Sequence, residues 1–150
     1  MVRASIAVIV SYLMMFVLAT IAFICAYLMV GAEVAFKPGL YEASTSWIEI
    51  AFLINIVVAI SAGFICASIA KGGKTPFALA IVVFALGIGL TIPEMMKRKA
   101  NEGLVRTGHT PKIEAVQRAY WPVWVPFTFP ITGAIGVLIG GKLKRRFAEN

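Results

Sequence analysis

The sequence WIEIAFLINIVVAISAGFICASIA, residues 47–70, decides the fold of this chain. Glu49 is its single charged residue, and Asn55 is the one other strongly polar side chain. A bilayer core about 30 Å thick needs roughly 20 apolar residues in an α-helix, and this stretch is longer than that. The stretch therefore predicts a helix that spans a membrane.

Three further apolar blocks of similar character lie at about residues 5–30, 76–92 and 121–141. The whole chain is 60% hydrophobic and 14% charged, whereas soluble domains carry about 25% charged residues. A spanning backbone must satisfy its own hydrogen bonds, so each block is expected to be helical. We predict a single all-α membrane domain over residues 1–150, with four transmembrane helices in an antiparallel bundle.

The polar connection at about residues 94–120 is the longest in the chain. Thr110-Pro111 is a good helix start, with threonine as the cap and proline in the first helical position. Ile113, Val116 and Tyr120 then share one helical face. We expect a short amphipathic helix before the fourth span that lies at the membrane interface or against a partner.

The net charge of +7 is carried by loops and tails rather than by the spans. Basic residues in these places set topology and contact anionic headgroups, so lipid rather than nucleic acid is the expected partner. Lysine and arginine divide equally between the two faces, but those on the terminal side crowd against the helix ends. We therefore expect both termini to be cytoplasmic, in a bacterial cytoplasmic membrane.

The two cysteines, Cys25 and Cys66, lie near the ends of the first and second blocks. Consecutive spans run in opposite directions, which separates the thiols by roughly 20 Å in depth. A disulfide requires Cα atoms within about 7 Å. We expect both cysteines to be unpaired.

Asn55 and Glu49 are the candidate intramembrane polar contacts. Each has a functional interpretation, as part of a substrate path, and a structural one. An asparagine in a span more often bonds a neighbouring helix, and Glu49 lies close to headgroup depth beside Trp47. Three prolines, Pro122, Pro126 and Pro130, begin the fourth span, and they predict a kinked entry or a broken transport helix.

Small residues form stripes that favour close helix packing. They recur every fourth residue on the second span and as a GxxxG pattern on the fourth. The candidate packing residues are Ala59, Gly63, Ala67, Gly133, Gly136 and Gly140. The pattern leaves open whether the partner is within the chain or in another protein.

The signals for catalysis or cofactor binding are weak. Gly73-Lys74-Thr75 resembles the end of a P-loop, but Ser68 stands where the pattern requires glycine, and a membrane helix precedes it. His109 is the only histidine, and it has no companions with metal-ligand spacing. We predict no enzyme activity, no cofactor and no metal.

Four segments together resemble a group of small, functionally uncharacterised bacterial four-helix membrane proteins. They are YLMMFVLA (12–19), IAFLINIVVAISAGFICASIA (50–70), TPFALAIVVFALGIGL (75–90) and WPVWVPFTFPITGAIGVLIGGKLKRR (121–146). The resemblance implies a four-helix membrane fold and transfers no catalytic or ligand residue. The long segment from Met95 to Tyr120 departs from the compact loop expected of the group.

Two functions follow as hypotheses. The first is a non-catalytic accessory or structural subunit that packs in a larger membrane complex, with other subunits or with itself. The alternative is a small oligomeric transporter or channel whose path is lined by Asn55, Glu49 and the kinked fourth span. The two differ in whether these polar groups face a cavity or a packed interface.

Overall fold

The computed structural model describes residues 2–70, 74–106 and 111–149, and every named element among them is a helix. The helices are α1 (Val2–Ala35), α2 (Thr45–Ala70), α3 (Thr75–Asn101), α4 (Lys112–Arg118) and α5 (Val125–Glu149). All but α4 are long and apolar enough to cross a membrane. The prediction of an all-α protein with four such helices is confirmed, and the four apolar helices indicate an integral membrane protein in contact with lipid.

A glycine near the end of α1 and a serine before α2 account for where these helices end and begin. Gly31 has a non-helical φ of +75°, a conformation that glycine adopts without strain, so it interrupts α1 close to the predicted end of the first span. The Ser44 hydroxyl accepts a hydrogen bond from the backbone N–H of Trp47 at 3.1 Å and caps the start of α2.

Two helices have bounds that differ from the apolar spans predicted from the sequence. The third span was expected to stop at Pro93, but α3 continues through it to Asn101. A proline within a helix removes only one backbone hydrogen bond, and membrane helices tolerate this loss. The fourth helix was expected at 121–141, but α5 begins at Val125 and includes the basic tail up to Glu149.

The helix contacts form a consistent register. Arg3 near the start of α1 donates a hydrogen bond to the carbonyl of Ile69 near the end of α2. Thr91 of α3 bonds the carbonyl of Pro126 at the start of α5, while the start of α3 meets the other end of α5, where a Cβ on Gly141 would press on Pro76.

The connections at one end of the helices fold into a compact unit, called here the cap: residues 32–44, 102–106 and 111–124. The N–H of Ala43 bonds the carbonyl of Tyr120 at 3.0 Å, and the N–H of Tyr120 bonds the carbonyl of Tyr41 at 3.0 Å. The N–H of Arg106 bonds the carbonyl of Gly39 at 2.8 Å. The first and third connections are thus joined by backbone pairing.

The short helix α4 lies in this cap, but its predicted apolar face is not the face that packs on the chain. Ala115 is fully buried, whereas Ile113 is 74% exposed and Val116 is 45% exposed. Tyr120 is buried but lies beyond the end of the helix. The predicted cap Thr110 is outside the described residues, and Pro111 precedes the first helical residue.

Both cysteines are free, as predicted. Cys66 is buried in the cluster that includes Ala7 of α1, and Cys25 lies 18 residues farther along α1 than Ala7, on an exposed face. At 1.5 Å per residue this separation is about 27 Å, far beyond the reach of a disulfide.

Candidate functional site

The small-residue stripes of α2 and α5 meet each other. A Cβ added to Gly63 would overlap the backbone carbonyl of Val137, and one added to Gly140 would overlap the carbonyl of Ile60. A Cβ on Gly136 would lie 2.8 Å from the Cβ of Ala59. At this seam the two helices approach to backbone contact, which side chains larger than hydrogen would prevent.

The remaining small residues lie at the edges of the seam. A Cβ on Gly133 would lie 3.3 Å from a Val83 methyl of α3 and 3.6 Å from Oδ1 of Asn55, so a third helix closes on this position. Ala67 is only partly buried, near the end of α2. The pairing partner of the stripes is therefore found within the chain for every glycine of the predicted set.

Asn55 forms hydrogen bonds with residues of α5. Its Nδ2 donates to Oγ1 of Thr132 at 2.8 Å and to the carbonyl of Phe129 at 3.2 Å. Both amide hydrogens are thereby used between helices. An amide in hydrocarbon needs such partners, because an unpaired one is costly to bury.

The prolines of α5 are accommodated by α3. Pro130 has no N–H to bond the carbonyl of Pro126, four residues earlier, and Oγ1 of Thr91 donates to that carbonyl at 3.2 Å. The ring of Pro130 packs against Gly87, where a Cβ would lie 2.7 Å from the ring. Thr91 and Gly87 of α3 thus accommodate Pro130 within α5.

Glu49 lies apart from Asn55, on the surface. It lines an open cleft of about 640 Å³ together with Lys37 and Glu42 of the cap and Trp124 near the start of α5. Lys37 and Glu42 are paired with each other at 2.8 Å in the same cleft. The two predicted intramembrane polar residues therefore do not line a common cavity.

A second cavity, of about 450 Å³, lies between α1, α3 and α5, and Asn55 contributes to its wall. Glu94 of α3 also lines this cavity, and its carboxylate oxygen Oε2 is buried without a hydrogen-bond partner among the described residues. Sequence reasoning missed Glu94, because Pro93 was expected to end the helix and Glu94 to start the polar connection. The signal available was its position one residue beyond an apolar span.

Arg106 is the other polar residue that sequence reasoning did not single out. Its guanidinium is almost fully buried in the cap, bonds both carboxylate oxygens of Glu33 at 2.7 and 3.1 Å, and lies over the ring of Phe36. The bonds to Glu33 raise the pKa of Arg106 above its usual value, so the side chain stays charged. This contact joins the third connection to the end of α1.

Two of the motifs considered in the sequence include residues outside the described parts of the chain. Gly73 and His109 lie outside the described residues, so the P-loop-like turn and the lone histidine are not observed. In the parts of the chain that are described, no three His, Cys, Asp or Glu residues group closely enough to hold a metal ion.

Searches of protein-family models, of curated proteins and of solved structures returned no match to this chain. Function must therefore be inferred from the chain's own contacts, cavities and charges.

Proposed function

We propose that the chain is a non-catalytic accessory or structural subunit that packs against partner proteins in a membrane complex. The proposal is supported by the contacts and positions of the two predicted intramembrane polar residues. Asn55 is bound to α5 by two hydrogen bonds, and Glu49 lies in a separate surface cleft. A transport path would need these groups to line one continuous cavity.

The least buried helix, α1, is the proposed surface for a partner. In its most apolar window 6% of the residues are buried inside the chain, against 33–44% for the other three long helices. Lipid can cover such a face, but a partner helix gains van der Waals contact where side chains interdigitate. Leu13 and Phe16, 58% and 66% exposed, lie on this face.

The membrane arrangement proposed with this function is an antiparallel bundle with the cap outside and both termini in the cytoplasm. Four cations of the cap side pair with carboxylates: Lys37, Arg98, Arg106 and Arg118. Lys142, Lys144, Arg145 and Arg146, at the other end, have no such pair among the described side chains. These free cations suit the anionic cytoplasmic leaflet, which attracts each by about 1 kcal/mol.

In the same arrangement α4 lies at the outer interface. Its exposed Ile113 and Val116 point away from the buried Ala115, as an interfacial helix requires. A membrane surface or an adjacent subunit would cover them.

The proposal is tested by purifying the native assembly in a mild detergent and comparing two double variants. Leu13→Ala with Phe16→Ala should release the co-purifying subunits, because it removes side-chain volume from α1. Ile81→Ala with Phe84→Ala removes similar volume from the exposed side of α3 and should leave the assembly intact. Identical assemblies from both variants, or a wild-type chain that purifies alone, would count against an accessory role on α1.

The alternative is a small oligomeric transporter or channel. It is favoured by the 450 Å³ cavity in which Asn55, Pro126 and Pro130 share a wall. This function predicts that reconstituted wild-type protein supports a flux of an ion or solute. It also predicts that Asn55→Leu abolishes the flux while the protein assembles normally, and this pair of results would replace the accessory proposal.

A further inference from the structure

The cavity between α1, α3 and α5 combines a carboxylate with several aromatic rings, and neither function above uses this combination. Its wall includes Glu94 of α3, Tyr12 and Phe23 of α1, and Trp121 and Phe129 on the α5 side. Trp121 and Phe129 meet edge to face, with ring centroids 5.4 Å apart. Rings beside a carboxylate are the groups that recognise organic cations.

The carboxylate of Glu94 lacks a counter-ion within the described chain. Arg98, one turn farther along α3, is bonded to Glu102 at 2.9 Å. Lys97 points to the carbonyl of Val116, with its Nζ 3.4 Å from that oxygen. A buried carboxylate oxygen without a partner is costly, so a cation in the cavity that Glu94 lines would stabilise the carboxylate.

The shape of the cavity suits a molecule that is charged at one end. Glu94 and Trp121 mark the end near the cap, and Val83 of α3 marks the opposite end. Eleven residues separate Val83 from Glu94, which corresponds to about 16 Å along a helix. The rest of the wall is largely apolar and includes Met15 and Leu90, with Asn55 and Thr91 as its polar members.

We propose that this cavity binds an amphiphilic organic cation, with Glu94 as the counter-ion and Phe23, Trp121 and Phe129 as the rings around the positive centre. The charged group lies at the level of the cap, and the apolar body extends between α1 and α3. Both an ammonium-bearing lipid and a free hydrophobic cation have this chemistry. The inference does not depend on the accessory function, since a subunit and a transporter can each hold such a ligand.

The test measures binding of labelled tetraphenylphosphonium to the full chain by equilibrium dialysis in uncharged maltoside micelles, with empty micelles subtracted. The wild type should bind saturably. Glu94→Gln should bind at least tenfold more weakly, because it removes the charge and keeps the shape, and Glu94→Asp should recover part of the loss. Trp121→Leu should weaken binding about three- to tenfold through loss of the ring.

Glu49→Gln is the matched control. It makes the same substitution in the separate surface cleft and should leave binding unchanged. Native-like helix content and size-exclusion behaviour show that each variant is folded, and Phe23→Leu replaces any variant that is not. Absence of saturable binding by the wild type, or equal binding by wild type and Glu94→Gln, would overturn the proposal.

Competition distinguishes the two sources of the cation. Short-chain phosphatidylcholine or phosphatidylethanolamine should displace the probe if a lipid headgroup is the natural occupant, whereas phosphatidylglycerol of equal chain length should not. Displacement by decyltrimethylammonium alone identifies a free hydrophobic cation. If phosphatidylglycerol displaces the probe as effectively as the others, the site recognises apolar chains regardless of headgroup charge. That result would contradict the role of Glu94.

Discussion

Arg106 shows how one side chain can order a long connection. The side chain is almost fully buried, while its partner Glu33 is mostly exposed. The guanidinium also lies 5.9 Å from the centre of the Phe36 ring, which adds a cation–π contact. The segment that follows α3 is therefore fastened to the end of α1 rather than left free.

We expect Arg106→Gln to loosen the cap by about 1–2 kcal/mol, a value reduced because Glu33 is exposed to water. Amide exchange at Ala43 and Tyr120, whose N–H groups form the cap's backbone pairing, should accelerate about 5- to 30-fold. Lys37→Gln, which breaks an exposed pair, should change exchange little. Unchanged exchange in Arg106→Gln would show that backbone pairing alone holds the cap.

Asn55 gives a second prediction for a single residue. Asn55→Leu removes two interhelical hydrogen bonds, and such bonds average about 0.6 kcal/mol each in membrane proteins. Unfolding in sodium dodecyl sulfate, followed by tryptophan fluorescence, should therefore show a loss of about 1 kcal/mol. Ser61→Ala, which loses only a bond to its own helix, is the control. A loss several times larger than expected would mean that Asn55 organises more than its two partners.

At the scale of the helices, the seam between α2 and α5 is the contact most sensitive to volume. The Gly63 and Gly140 backbones each touch a carbonyl of the facing helix. Along the seam, the residue numbers of the contacting pairs increase together in both helices, from Asn55 with Thr132 to Ile60 with Gly140.

Gly140→Leu should destabilise the fold by about 3 kcal/mol, because the added side chain has no space between the helices. Gly89→Leu is the matched control, since Gly89 also lies in a long helix and a Cβ there meets nothing within 4 Å. The control should be neutral or slightly stabilising, as leucine favours the helix more than glycine does. Equal effects of the two substitutions in a detergent-unfolding assay would refute the importance of the seam.

For the whole molecule, the distribution of paired and unpaired charges sets the proposed orientation. Cations near the cap largely lie beside carboxylates, and the helical basic tail of α5 does not. Lys144 of that tail also lies over the ring of Phe64, 5.7 Å from its centre. Lys144 thus holds the tail against the end of α2.

Labelling of intact cells tests this orientation. In a background with Cys25→Ala and Cys66→Ala, a cysteine added after Asn150 should react with an impermeant maleimide only after the membrane is permeabilised. Val105→Cys, at an exposed position in the cap, should react in intact cells. The reverse pattern would place the cap in the cytoplasm and require a different explanation for the basic tail.

The sequence by itself determined the number of long apolar helices, the unpaired cysteines, and the positions of the small residues and of Asn55. These features follow from composition and from local periodicity, which a bilayer makes unusually strict. It did not predict that α3 passes through Pro93, because the cost of a proline depends on what neighbouring helices can replace.

Only the tertiary structure decided that the stripes of α2 and α5 face each other, that Glu94 lines a cavity and that Arg106 is buried. Each of these depends on contacts between residues far apart in the chain. Sequence periodicity defines a helical face but contains no information on which surface will cover it.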